Sequence, residues 1–331
     1  MNAPTPAELL EVAIAAARAG GAILIEGLAR PKDVVMKSER ASIVTWADVT
    51  AQAEIFSIIG SAFPDHVILG EEGDGGGENG DYTWMVDPLD GTSNYASGIP
   101  FACTSVAVRD RDGVVAGAIF EPFRGELFSA SRGGGAWLAG DRLSVTGNQT
   151  LSRSLVATGI QSDVEAEIDA HARRIAALHK HTRGSRCLGS PALCLAYVAA
   201  GRIDAFYERD ATYAWDVAAG SLLISEAGGR CEDLDGGPLN LGHGLANVVG
   251  TNGKIHDALR DLISRTDAST WTTAADETGR QSHGRCILRT SHRPRALWGH
   301  APWPKSFPSI TSLTAGTRVG SRNTSTILGC G

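Results

Sequence analysis

Tyr82-Thr83-Trp84-Met85-Val86-Asp87-Pro88-Leu89-Asp90-Gly91-Thr92-Ser93-Asn94 is the stretch on which the reading of this chain turns. Its first five residues have the apolar and aromatic character of a short strand. Gly91-Thr92-Ser93-Asn94 supplies small and capping residue types, so a helix is expected to open there. Asp87 and Asp90 fall at the junction, three residues apart, with Pro88 and the Leu89 carbonyl between them. An Asp that follows an apolar strand needs a partner for its charge if it is buried. Carboxylates flanking a carbonyl suit a hard divalent cation, and free N–H groups at a helix start suit an anion. A metal and a phosphate meeting at one corner would be the working parts of a phosphatase.

Upstream, residues 6–29 place Leu9, Leu10, Val12, Ile14, Ala17, Ile23, Leu24 and Leu28 at helix-like spacing. Residues 48–62 do the same with Val49, Ala53, Ile55, Phe56, Ile58 and Ile59. Residues 67–69 form a brief strand that delivers Gly70-Glu71-Glu72, ahead of a Gly-rich loop at 73–80. Downstream, strands are expected at 101–108, 114–120, 126–130 and 136–138. Gly133-Gly134-Gly135 lacks a following Lys-Ser/Thr, so it reads as a hairpin turn rather than a phosphate loop. A strand at 155–158, helices at 164–180 and 191–200, a strand at 203–207 and a helix at 215–227 follow. Gly228-Gly229 closes the last of these. Helices, then a run of strands, then alternation argue an α+β or α/β fold with mixed sheets, in two halves meeting near residue 150.

The chain has 331 residues, 43% of them hydrophobic, which is ample for a sizeable core. A formal charge of −7 argues against a nucleic-acid partner. No apolar run approaches membrane-spanning length and Met1-Asn2-Ala3-Pro4-Thr5 carries no basic leader, so a cytoplasmic protein with no membrane contact is expected. The six cysteines, at 103, 187, 194, 231, 286 and 330, form no Cys-x-x-Cys pair and read as reduced, mostly buried thiols. The nine histidines show no metal-binding spacing, and His171, His179 and His181, on or after a polar helix, are expected to face solvent. Residues 268–331 carry 2 acidic and 8 basic side chains, with Trp271, Trp298 and Trp303 in no periodic pattern. They read as an atypical basic tail, irregular or disordered.

Four acidic positions look arranged for chemistry: Glu71, Asp87, Asp90, and Asp216 in Ala214-Trp215-Asp216-Val217-Ala218-Ala219-Gly220. Singly, Glu71-Glu72 reads as a solvated loop pair and Asp216 as a helix cap. A shared metal cluster accounts for all four at once. The surrounding motifs resemble those of the inositol monophosphatase family of metal-dependent, lithium-sensitive phosphatases. Its first signature corresponds to Trp84-Met85-Val86-Asp87-Pro88-Leu89-Asp90-Gly91-Thr92-Ser93-Asn94-Tyr95. Its second corresponds to Trp215-Asp216-Val217-Ala218-Ala219-Gly220 with Glu226-Ala227-Gly228-Gly229. Gly70-Glu71-Glu72, and Lys37 with Val44-Thr45-Trp46-Ala47-Asp48, match two further elements. The resemblance spans roughly residues 7–265.

That resemblance implies a layered αβαβα sandwich with mixed sheets, halves at 1–150 and 151–267, a homodimer, and two or three Mg²⁺ ions per active site. Glu71, Asp87 and the Leu89 carbonyl would hold the first ion, and Asp87, Asp90 and Asp216 the second. Glu71 would also touch a weaker third. Glu71 and Thr92 would activate the attacking water, with Asp48 holding the Thr92 hydroxyl, while the N–H groups of Gly91 and Thr92 receive the phosphate. Gly189, Ser190, Glu208 and Asp216 would face the alcohol. There the chain departs from the family pattern: Pro191 follows Ser190, and Glu208 lies eight residues before Asp216 instead of seven. Arg209 or Asp210 therefore competes for the place of Glu208. The implied reaction is hydrolysis of inositol 1-phosphate, with histidinol phosphate or another sugar or nucleotide phosphate as alternatives. A non-catalytic, partner-binding protein on the same scaffold is the alternative of another class.

Overall fold

Alternating apolar residues on short strands and apolar stripes on helices sort this chain into five stacked layers. The computed structural model describes residues 3–30, 34–37, 43–75, 80–160, 162 and 164–268. The basic segment beyond Ala268, with its tryptophans, Cys286 and Cys330, lies outside them, as do residues 76–79 of the Gly-rich loop.

Two capped helices open the chain. Thr5 precedes α1 (Pro6–Gly27) and exchanges hydrogen bonds with Glu8. A small hairpin of β1 (Val35–Met36) and β2 (Ile43–Val44) follows. Thr45 and Asp48 then form the same reciprocal box at the start of α2 (Trp46–Ala62). These two helices cover one face of a seven-stranded sheet: β3 (Val67–Gly70), β4 (Thr83–Asp90), β5 (Cys103–Asp110), β6 (Gly113–Glu121), β7 (Glu126–Ser131), β8 (Gly135–Leu138) and β9 (Asp141–Arg142). The strands lie in chain order, with β3 parallel to β4 and every later pair antiparallel. The short helix α3 (Thr92–Ala96) leaves the end of β4.

The second sheet gathers β10 (Leu155–Thr158), β11 (Gly184–Arg186), β12 (Ala205–Glu208), β13 (Arg230–Asp233) and β14 (Val248–Thr251), in the order β11-β10-β12-β14-β13. β10 is parallel to both neighbours, and β14 is antiparallel to both of its own. Between the sheets lie α5 (Pro191–Ala199) and α6 (Ala214–Glu226). α4 (Glu165–His181) and α7 (His256–Ala268) cover the outer face. The order is thus αβαβα with mixed sheets.

α6 sits in the middle layer and is apolar nearly all round, as a helix with protein on every side must be. Val217, Leu223 and Ile224 are fully buried there, each contributing roughly 1.5–3 kcal/mol of burial. No helix among the described residues is long and apolar enough to cross a membrane. Three sequence expectations need correction. β4 runs on through Asp90 instead of stopping at Val86, although the helix expected at Gly91 does open at Thr92, five residues long. His171 is buried, although His179 and His181 are exposed as expected. Cys187 is exposed, while Cys103 and Cys194 are buried.

Candidate active site

Residues three apart on a regular strand face opposite ways. Asp87 and Asp90 escape that rule because β4 carries a bulge between them. Asp87 pairs with Ser105 and Asp90 with Cys103, so three steps on β4 oppose two on β5. One extra residue restores parity and turns both carboxylates to the same face. Pro88, with no N–H to give the ladder, sits within the bulge. Each carboxylate is then held by a backbone donor. Asp87 Oδ1 accepts the Leu89 N–H at 2.9 Å. Asp90 Oδ2 accepts the Ala192 N–H at 2.8 Å and the Ser190 hydroxyl, at the start of α5. Asp216, in the first turn of α6, accepts the Tyr213 N–H at 2.7 Å. Ser105 Oγ donates to the Trp215 carbonyl at 3.1 Å and ties that helix start to β5. Oxygens of Asp87, Asp90 and Asp216 come within 4.8 Å of one another.

This corner is electrostatically costly as it stands. Burial pushes Asp90 up to about 7, against the opposing bonds from Ser190 and Ala192. Asp87 is held well above the usual carboxylate range by burial, then by the charges of Glu71, Asp90 and Asp216. Asp216 is raised likewise by burial, Asp90 and Glu71. Three crowded oxygen donors suit a hard divalent cation, which would offset both the burial and the repulsion. Glu71 lies alongside this group, not within it. It lines the same cavity, and its carboxylate meets Lys37 Nζ at 3.1 Å. Lys37 also contacts Glu72, and Gln52 pins that loop by accepting the Glu72 N–H at 2.9 Å.

Thr92 Oγ1 stands 3.0 Å from the Leu89 carbonyl and 3.2 Å from Asp48 Oδ1. Asp48 is fully buried and pushed up to about 6 by that burial, which outweighs the Thr45 hydroxyl and N–H it accepts. Gly91 has φ 90°, and a Cβ there would come within 2.9 Å of the Phe101 carbonyl, so only glycine fits this close turn.

A cavity of about 1080 Å³ joins these parts. Glu71, Asp87, Leu89, Asp90, Gly91, Thr92, Gly189, Ser190, Glu208 and Asp216 all line it. Asp48 reaches it through Thr92. The Ser190 hydroxyl, on the cavity wall, donates to Asp90. Glu208, not Arg209, faces the cavity. Arg209 forms ion pairs with Asp235 and Asp267 instead. Asp210, the other sequence candidate, also lines the cavity; its φ is 62° and its N–H donates to Asn247 Oδ1 at 2.7 Å. Burial pushes Glu208 up to about 8, with the charge of Asp90 adding to it. Sequence reasoning missed His171 as a cavity residue. The signal was present: His171, Arg174 and Leu178 form the buried stripe of α4, masked by the polar composition around them.

The sequence profile of the inositol monophosphatase family matches residues 5–267. The chain belongs to that family. Among its members, an inositol-1-monophosphatase from Synechocystis is 37% identical over 258 residues, 78% of this chain and 89% of that protein. A protein named Nus factor SuhB from Pseudomonas aeruginosa is 38% identical over 264 residues, 77% of this chain and 95% of the other. The solved inositol monophosphatase of Anabaena superposes with a TM-score of 0.69 at 37% identity, covering 77% of this chain and 95% of that one. The layered sandwich described above is the fold of this phosphatase family.

Proposed function

We propose that this protein is a Mg²⁺-dependent phosphomonoesterase acting on a small alcohol phosphate, inositol 1-phosphate first. One observation carries the reading: three aspartate oxygens from two separate elements meet within 4.8 Å in a cavity that also holds Glu71 and the Thr92–Asp48 pair. The donors are all oxygen, buried and mutually repelling, which fits Mg²⁺. Asp87, Asp90 and Asp216 would hold one ion, and Glu71, Asp87 and the Leu89 carbonyl another, with Glu71 open to a third. Bound there, Mg²⁺ supplies Lewis-acid polarisation of the ester and a lowered pKa for bound water.

The chain's own groups do the rest. With its proton turned to Asp48, Thr92 Oγ1 is left free to accept a hydrogen bond from the attacking water, fixing its direction. Glu71 would take the proton of that water as its oxygen bonds to phosphorus and the ester P–O bond breaks. The leaving alkoxide would take a proton from solvent to depart as the alcohol. N–H groups of Gly91 and Thr92 receive the phosphate oxygens as hydrogen-bond donors, since a turn as short as α3 adds little dipole. Gly189, Ser190, Glu208 and Asp216 form the side that meets the alcohol, with Ser190 acting through Asp90. Residues 1–150 would then supply most of the metal corner and 151–267 would complete it. By family membership we also take the protein as a cytoplasmic homodimer.

Phosphate release from inositol 1-phosphate, histidinol phosphate and fructose 1,6-bisphosphate, with Mg²⁺, with chelator and with Li⁺, tests the reading. Hydrolysis is expected with Mg²⁺ alone, strongest on inositol 1-phosphate. A second reading, partner binding on the same scaffold, draws on the name Nus factor carried by several relatives. A metal-loaded protein inert on every ester would leave that reading standing in place of the first.

A further inference from the structure

Two buried titratable side chains line the cavity with no hydrogen-bond partner among the described residues. Glu208 is 4% exposed and His171 is 7% exposed. Glu71, Asp87, Asp90 and Asp216, the metal-directed carboxylates of the cavity, each have a fixed donor. Arg174, the charged neighbour of His171, is committed to Asp267 at 2.6 Å. The place of Glu208 depends on Gly159: a Cβ there would lie 3.0 Å from both Glu208 carboxylate oxygens. Gly159, Ser162, His171, Cys187 and Glu208 are among the residues that line this cavity. The polar atoms of Glu208 and His171 open onto the cavity, so their hydrogen-bonding capacity is available to a ligand there.

We propose that His171 joins Glu208 in a hydrogen-bonding subsite for a polyhydroxylated alcohol, and that His171 sets the preference for such alcohols over shorter ones. This deepens the phosphatase reading and rests on it. The chemistry favours neutral hydroxyl groups over a cationic amine. Burial lowers the His171 imidazole, with Arg174 adding to the effect, and raises Glu208, so both groups are held toward their uncharged forms. A neutral imidazole offers one donor and one acceptor, which matches a hydroxyl that does both. A site built to bond a hydroxyl discriminates against an ester that lacks it.

The test compares His171→Phe and His171→Gln with the parent on inositol 1-phosphate and glycerol 2-phosphate, all with Mg²⁺. The ratio of kcat/KM values, inositol ester over glycerol ester, should fall roughly tenfold in His171→Phe, carried mainly by KM. His171→Gln should recover part of the ratio. Equal losses on both esters, or no loss, would overturn the proposal. A second readout does not need turnover: adding inositol with phosphate and Mg²⁺ should shift the imidazole NMR signal that His171→Phe removes. If the parent hydrolyses no ester, the phosphatase reading fails, and a His171 shift would still support the subsite. No shift would sink the subsite whatever the turnover.

Discussion

The aspartate corner and the alcohol-facing wall belong to one cavity but follow opposite plans. In the corner, Asp87, Asp90 and Asp216 each accept a backbone N–H, from the β4 bulge, α5 and α6 respectively. Their positions are fixed before anything binds. Across the cavity, Glu208 and His171 are just as buried and accept nothing. Their hydrogen-bonding capacity is left for a ligand. The contrast separates preorganised chemistry from recognition: charge placement must be fixed beforehand, while selectivity comes from groups that pair only with the right alcohol.

The sharpest way to break this contrast is to remove one corner charge. Asp90→Asn keeps the shape and the acceptor for Ala192 but deletes a metal-directed charge, so turnover should fall about a thousandfold or more. A loss under tenfold would mean the corner is not the reacting centre. The same variant should raise the melting temperature of the metal-free protein, because repulsion drops. The pH dependence has a definite sign. Asp90 is raised to about 7 in the fold, so its contribution to stability is present below its ordinary value and lost as pH climbs through 7. Under chelator, melting temperature should fall from pH 5 to pH 8, and fall less steeply in Asp90→Asn. A profile rising with pH would contradict the repulsive corner. Thr92→Ala comes next, at about a hundredfold in kcat, because the hydroxyl between Asp48 and Leu89 is lost. Asp48 keeps its Thr45 bonds, so stability should move little.

The corner was far more legible in the sequence than the wall. Asp87, Asp90 and Asp216 stand in compact motifs whose local chemistry implies a shared charge problem, and the structure does gather them. The bulge was not foreseen, since Asp87-Pro88-Leu89-Asp90 reads equally well as the end of a strand. The long helices α1 and α2 were readable because apolar residues recur at helical spacing over many positions, and α6 because Gly228-Gly229 closes its apolar run. β1, β2, β9 and β11 went unread because two or three residues carry no period. β13, Arg230-Cys231-Glu232-Asp233, carries three charged residues in four. α7 was legible in principle, through His256, Leu259, Leu262 and Ile263 on one face, but its low apolar content hid it. His171 was misplaced for the same reason.

The wall can be sharpened through its backbone. Gly159→Ala puts a methyl group 3.0 Å from both Glu208 oxygens, so the carboxylate must move. KM for inositol 1-phosphate should rise roughly tenfold with kcat less affected, since the corner is untouched. Equal kcat and KM effects would indicate that Glu208 belongs to the reacting centre and that the division drawn here is false.

The smallest effect decides which neighbour occupies the wall. Glu208 lies eight residues before Asp216, so the seven-residue spacing that the family resemblance implies would put the alcohol contact at Arg209. Its guanidinium is instead bound to Asp235 at 2.6 Å and faces Asp267 at 3.5 Å. Asp235 is largely exposed, so that pair is screened and contributes only modestly. Arg209→Ala should therefore leave kcat/KM within about twofold while costing about 1 kcal/mol of stability, less at high salt. Denaturant titration and steady-state kinetics on the same preparation read both numbers. If activity falls with stability intact, Arg209 faces the alcohol after all.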